Sequence, residues 1–221
     1  MSTIVSSLKN LNAQLSKNVT LVAVSKTKPS SDILKAYSTG QRDFGENKIQ
    51  EMSSKWEELP KDINWHMIGH VQTNKVKYMA PFVHLIHAVD SFKLLEEINK
   101  QAKKNNRVIN CLIQIKIAEE DSKFGLSSED AVELISSPEV SRLSNINIQG
   151  LMGMATFTEN EQQLRKEFKI IKSVFDELKN KIAGFNTLSI GMSGDYQIAI
   201  EEGSTMVRIG SSIFGERNYQ Y

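Results

Sequence analysis

Lys26 follows the run Leu21-Val22-Ala23-Val24-Ser25 and precedes Thr27-Lys28-Pro29. A short apolar run ending where a helix pattern begins reads as a buried parallel strand. Alternation puts Val22, Val24 and Lys26 on one face. A lysine at such a strand end is either a solvated terminus or an amine held in a pocket, where a lowered pKa makes it a nucleophile toward carbonyls. Two clusters near the other end of the chain add a complementary chemistry. Gly191-Met192-Ser193-Gly194 and Arg208-Ile209-Gly210-Ser211-Ser212 combine glycines, which admit close backbone approach, with hydroxyl donors. They suit an anion such as a phosphate, and ordinary Gly/Ser turns are the competing reading.

An anion site facing a lysine suggests a phosphorylated carbonyl ligand. A sugar phosphate in an aldolase and pyridoxal phosphate both fit. Arg208 bears on the choice, because an always-charged donor facing a pyridine nitrogen disfavours its protonation and weakens the ring as an electron sink. A salt bridge to Glu201, Glu202 or Glu216 accounts for Arg208 equally well. No Walker loop and no GxGxxG stand in the chain, which argues against nucleoside triphosphates and Rossmann dinucleotides. His66 and His70 are four apart but flank a strand and a glycine, so they share no helical face and no metal site is expected. His84 and His87 read as structural, and Trp56 and Trp65 as packing residues. Cys111 sits inside the apolar run from Val108 to Ile117 and reads as a small buried hydrophobe.

The elements that must carry these residues alternate regularly. Ile4, Leu8, Leu11 and Leu15 form one stripe of a helix before the first strand. Further strands are read at 42–47, 65–69, 82–89, 108–117, 146–154, 187–190 and 206–209. Amphipathic helices lie between them, the clearest being Leu164, Phe168, Ile171, Phe175, Leu178 and Ile182 at intervals of four, three, four, three and four. Ser30 or Ser31, Ser91, and Ser127 or Ser128 are candidate helix caps, and a polar loop is read over 119–125. Eight strands alternating with helices predict right-handed crossovers and a closed TIM (β/α)8 barrel, an α/β single domain over 1–221, with a doubly wound open sheet as the competitor. In a barrel, Lys26, Asn47, His70, Ser193, Gly194 and Arg208 to Ser212 fall on the carboxyl face of the strands, where function resides.

Composition sets the surroundings. The chain has 221 residues, 40% hydrophobic and 24% charged, with a formal net charge of +1. That balance gives no footprint for nucleic acid or an anionic membrane surface. One cysteine excludes an internal disulfide and fits a reducing compartment. With neither a signal-peptide pattern nor a membrane span, a cytoplasmic protein is expected.

The residues also carry a resemblance. Ala23-Val24-Ser25-Lys26-Thr27-Lys28-Pro29, Phe44-Gly45-Glu46-Asn47 and Trp65-His66-Met67-Ile68-Gly69-His70-Val71-Gln72-Thr73-Asn74-Lys75 are similar to segments of the pyridoxal phosphate homeostasis proteins. So are Gly150-Leu151-Met152, Gly191-Met192-Ser193, Ser204 to Gly210 and Ile213-Phe214-Gly215. These proteins are single-domain relatives of the alanine racemase amino-terminal barrel, the type III pyridoxal phosphate fold. The resemblance implies that Lys26 forms the Schiff base and that Arg208 faces the pyridine nitrogen. It puts Ser193, Gly210 and Ser211 around the phosphate and Asn47 near the ring. Gly194 departs from the family pattern, and its backbone would reach the phosphate. The implied function is intracellular cofactor homeostasis without established catalysis, in a monomer whose partners are the cofactor and the apo-enzymes that need it. An amino-acid racemase-like enzyme is the alternative. Alanine racemases draw a second base, a tyrosine, from a further domain and a partner subunit, and only 214–221 remain here after Ile213. A protein-interaction role for the surface at Lys75 to Lys77 is an additional reading.

Overall fold

The computed structural model describes residues 3–119 and 124–216. Helix α1 (Thr3–Gln14) leads, with Ile4, Leu8 and Leu11 buried along one stripe. The repeating part begins with β1 (Thr20–Val24), α2 (Ser30–Tyr37), β2 (Asp43–Glu46), α3 (Ile49–Glu58) and β3 (Asn64–Met67). It continues through α4 (Val76–Met79), β4 (Leu85–Val89), α5 (Phe92–Lys104), β5 (Ile109–Lys116), α6 (Ser128–Ser136), α7 (Pro138–Ser141) and β6 (Ile146–Met154). Then follow α8 (Glu161–Lys179), β7 (Thr187–Met192), α9 (Tyr196–Glu201), β8 (Met206–Ile209) and α10 (Ser211–Phe214).

The strands close into a parallel barrel in sequence order, with β1 paired to both β2 and β8. Val22 stands opposite Arg208, and Gly45 opposite His66. Strand alternation then sorts the side chains into two layers. Leu21, Ala23, Phe44, Trp65, Ile113, Leu188 and Val207 join the apolar stripes of the helices in a large outer core. Val22, Leu85, Leu112, Met152 and Met206 cluster separately, inside the barrel. On α8, Leu164, Phe168, Ile171, Phe175 and Leu178 all face the outer core. Each such side chain contributes about 1.5–3 kcal/mol by leaving water.

Local details differ from the sequence reading at several ends. The amino-terminal cap of α2 is Pro29, with no side-chain cap bond; Ser30 instead donates to Glu58 Oε2 at 2.8 Å. Ser91 and Ser127 do cap α5 and α6, accepting from Leu94 N and Asp130 N. Strand β4 begins at Leu85, because Phe82 turns out to stack on Trp56 at 4.5 Å. Strand β7 runs on to Met192. Part of the polar loop read over 119–125 lies outside the described residues. Among the described residues, no helix is long and apolar enough to cross a membrane.

Candidate functional site

The carboxyl ends of the strands open on a cavity of about 1140 Å³. Lys26, Asn47, Ser193, Gly194, Arg208, Gly210 and Ser211 all line it. These residues come from the loops after β1, β2, β7 and β8 and from β8 itself, so barrel closure brings together positions that are more than 180 residues apart.

The backbone on either side of Lys26 is pinned. Ser25 N donates to Gly45 O at 3.0 Å, and Ser25 Oγ donates to Glu46 Oε1 at 2.6 Å. Lys55, on α3, donates to Ser25 O at 2.9 Å, Glu46 Oε1 at 2.8 Å and Glu51 Oε1 at 2.7 Å. Thr27 has φ 65°, a left-handed conformation costing a β-branched residue on the order of 1 kcal/mol or more. Its N–H is held by Glu51 Oε1 at 2.6 Å. Lys28 reaches across to the end of α10 and donates to the carbonyls of Phe214, Gly215 and Glu216 at 3.0, 3.2 and 3.0 Å. A cation at a helix carboxyl end satisfies its orphan carbonyls and opposes its dipole. The Glu46 side chain is fully buried; burial pushes its pKa up, while Lys55 and Ser25 oppose that shift.

Asn47 follows directly, and its Oδ1 is buried with no hydrogen-bond partner among the described residues. Its position depends on Gly69. A Cβ there would stand 2.4 Å from Asn47 O and 2.8 Å from its Cα. Only glycine lets the β2 and β3 ends approach so closely.

The two anion-loop candidates are tied together, since Gly210 N donates to Ser193 Oγ at 3.2 Å. Gly191 takes φ 95°, and a Cβ there would lie 2.7 Å from that of Ala199, so α9 packs directly on the β7 end. Asp195 Oδ1 accepts from Met192 N and closes the intervening turn. At Gly194, by contrast, a Cβ would have nothing within 4 Å among the described residues. Packing does not demand a glycine there.

Arg208 is 4% exposed. Its Nη1 donates to Ser189 O and Ser189 Oγ, both at 2.6 Å, and its Nη2 donates to Gly153 O at 2.9 Å. The salt bridge to Glu201 or Glu202 is not formed; Arg165 takes both carboxylates, at 2.5 and 3.0 Å. Burial lowers the Arg208 pKa to about 10, partly countered by Asp195, so the guanidinium stays charged at neutral pH.

His66 and His70 serve different surroundings. His70 lines the cavity, stacks on Phe124 at 4.6 Å and lies 3.4 Å from Asp90. His66 is buried and lies 3.0 Å from Asp43. Asp43, His66 and His84 do bring ligand-capable atoms within 4.8 Å of one another, a grouping invisible to spacing along the chain. Glu46 and Lys28 entered the sequence reading only as members of the family-like segments, and Lys55 was not singled out. The signal for Lys55 was its place on α3, three residues after Met52 of the apolar stripe, a face on which a solvated lysine would not be expected.

Comparison with known proteins agrees with the fold. The family model described as alanine racemase, N-terminal domain, matches residues 1–218. A protein of Aquifex aeolicus named pyridoxal phosphate homeostasis protein is 41% identical over 201 residues, spanning 90% of this chain and 87% of that one. Its Escherichia coli namesake is 38% identical over 210 residues, spanning 92% and 88%. The structure of PipY from Synechococcus elongatus, solved with PLP bound, superposes with a TM-score of 0.86 at 34% identity, covering 96% of this chain and all of that one. An alanine racemase of Clostridium difficile shares the fold at 14% identity, with a TM-score of 0.80 over 61% of its length. With a closed eight-stranded barrel, a lysine and two Gly/Ser loops around one cavity, and these relatives, the chain belongs to the alanine racemase N-terminal domain family.

Proposed function

We propose that this chain binds pyridoxal 5′-phosphate in the barrel cavity, with Lys26 as its covalent tether, and serves cofactor homeostasis by holding and delivering it. The observation that carries the reading is the convergence of Lys26, the Ser193/Gly194 and Gly210/Ser211 loops and Arg208 on one cavity. The residues fit the group. Ser193 and Ser211 offer hydroxyls to a phosphate and Gly194 a backbone N–H, while the Gly210 N–H holds Ser193 Oγ in place. Asn47 Oδ1 is a buried acceptor that a ligand donor would satisfy. PipY, whose structure has PLP bound, supports the same ligand. When bound, the cofactor supplies an aldehyde carbon that amines attack and a ring that withdraws electrons.

Arg208 decides between holding and turnover. It donates only, and it is charged, so a pyridine nitrogen facing it stays unprotonated and the ring draws electrons weakly. A retained cofactor suits delivery to cytoplasmic apo-enzymes by a monomer. A racemase-like enzyme with Lys26 as base is the rival. Incubating the loaded protein with alanine in deuterated water separates the two. Homeostasis predicts negligible exchange of the α-proton, and rapid exchange would establish the rival.

A further inference from the structure

The groups that hold Arg208 lead away from the cavity. Ser189 Oγ, which accepts from Arg208, lies 3.1 Å from His87 Nδ1. His87 Nε2 lies 2.9 Å from His66 Nδ1, and His66 Nε2 lies 3.0 Å from Asp43 Oδ1. The members stand on β8, β7, β4, β3 and β2. Ser189 and His87 are fully buried, and His66 is 1% exposed. Asp43 is the first residue of β2, at the amino-terminal mouth, whereas Arg208 lines the cavity at the carboxyl mouth. A continuous polar chain therefore crosses a barrel interior otherwise filled by Val22, Leu85, Leu112 and Met152.

The two ends set every proton between them. A guanidinium only donates and a carboxylate only accepts. Burial alone would raise the Asp43 pKa, but hydrogen bonds from His66 and Asn64 more than offset it, so the carboxylate is ionised at neutral pH. An ionised carboxylate only accepts, so His66 Nε2 carries a proton, and in the relay its Nδ1 accepts from His87 Nε2–H. Burial, with the nearby charge of Arg208, holds His87 far below its ordinary value and so neutral. Its Nδ1 accepts the Ser189 hydroxyl proton, and Ser189 Oγ accepts from Arg208. All links point the same way, and aligned hydrogen bonds polarise one another.

We propose that His66, His87 and Ser189 are positioning residues for Arg208, forming a one-way hydrogen-bond relay to Asp43 that strengthens Ser189 Oγ as an acceptor and fixes the guanidinium against the cavity. The contacts of the chain rest on geometry, and their direction on an ionised Asp43 and a neutral His87. Its consequence for the ligand rests on the reading of the cavity as a pyridoxal phosphate site.

The first test needs no cofactor. In ligand-free protein labelled with ¹⁵N at histidine, NMR at neutral pH should show His66 and His87 as neutral rings protonated on Nε2. A proton on Nδ1 of either ring overturns the relay. The second test uses Ser189→Ala and His87→Leu. Each leaves a buried partner unsatisfied, so Arg208 guanidinium protons should exchange with solvent about tenfold faster and pyridoxal phosphate should bind about tenfold more weakly, with a shifted visible band. A purely structural role would lower stability and leave the band where it is. Folded variants with wild-type Arg208 exchange and an unchanged band contradict the proposal. Should either variant not fold, the tautomers of the wild-type protein decide. Should borohydride fail to fix pyridoxal phosphate on Lys26, the ligand reading falls, while the tautomers and Arg208 exchange still judge the relay.

Discussion

Replacing Lys55 with methionine keeps the length and apolar stem of the side chain and removes the ammonium that holds Ser25 O, Glu46 and Glu51. The cost can be worked from the partner left behind. Glu46 is 0% exposed, so an unpaired carboxylate there is strongly disfavoured, and breaking a buried ion pair costs about 3–5 kcal/mol. Protonation offers Glu46 an escape that sets a ceiling. From its ordinary value of 4.5, each pH unit costs about 1.36 kcal/mol. That is about 3.4 kcal/mol at pH 7 and about 0.7 kcal/mol at pH 5. Urea unfolding of wild type and Lys55→Met at both pH values measures the difference. The expected loss is about 3 kcal/mol at pH 7 and under about 1 kcal/mol at pH 5, and adding Glu46→Gln should recover most of it. Released from Lys55, the Ser25–Thr27 backbone should also hold Lys26 less firmly, and pyridoxal phosphate should bind more weakly at pH 7. A loss that is equal at both pH values would mean that no buried carboxylate is at stake.

Gly69→Ala puts a Cβ against Asn47 backbone, so β2 and β3 must separate; a stability loss of about 1–3 kcal/mol and weaker cofactor binding are expected, by thermal melt and absorbance titration. Gly194→Ala, whose Cβ meets open space, should change stability by no more than about 0.5 kcal/mol in the same melt. Stability should fall as pH drops below 6.5, the ordinary histidine value. There the unfolded chain takes up a proton that buried His87 refuses, at about 1.4 kcal/mol per pH unit, and His87→Leu should flatten the slope. Burial raises the Cys111 pKa well above the ordinary thiol range, so native protein should not react with a thiol reagent that labels the denatured chain fully.

The barrel was legible because period and alternation are local. The α8 stripe and the strand runs at 109–116 and 146–154 declare themselves without knowledge of neighbours. The cavity-facing residues were legible for a related reason: Lys26, Ser193 and Gly210 sit at ends of readable strands, and a closed barrel sends such ends to one face. What supports them was hidden. The Glu46–Lys55 pair joins β2 to α3, and Glu46 sits on a strand with poor propensity. The chain from Arg208 to Asp43 joins five strands, so no spacing in sequence announces it. His87 read as structural, and its partner Ser189 looked like any small residue in a strand. Helix α2 begins at Ser30 after a Pro29 cap, and Ser30 turns its hydroxyl to Glu58 on α3, a tertiary contact that local capping rules do not see.

The claim on which the rest depends is that Lys26 holds the ligand. Protein mixed with pyridoxal phosphate should develop a visible band, and borohydride should bleach it and fix the cofactor to the protein. Peptide mapping by mass spectrometry then locates the label. The expected result is a single pyridoxyl adduct on Lys26, abolished by Lys26→Ala. Label spread over surface lysines such as Lys75 and Lys77, or retained at the same level in Lys26→Ala, would contradict it.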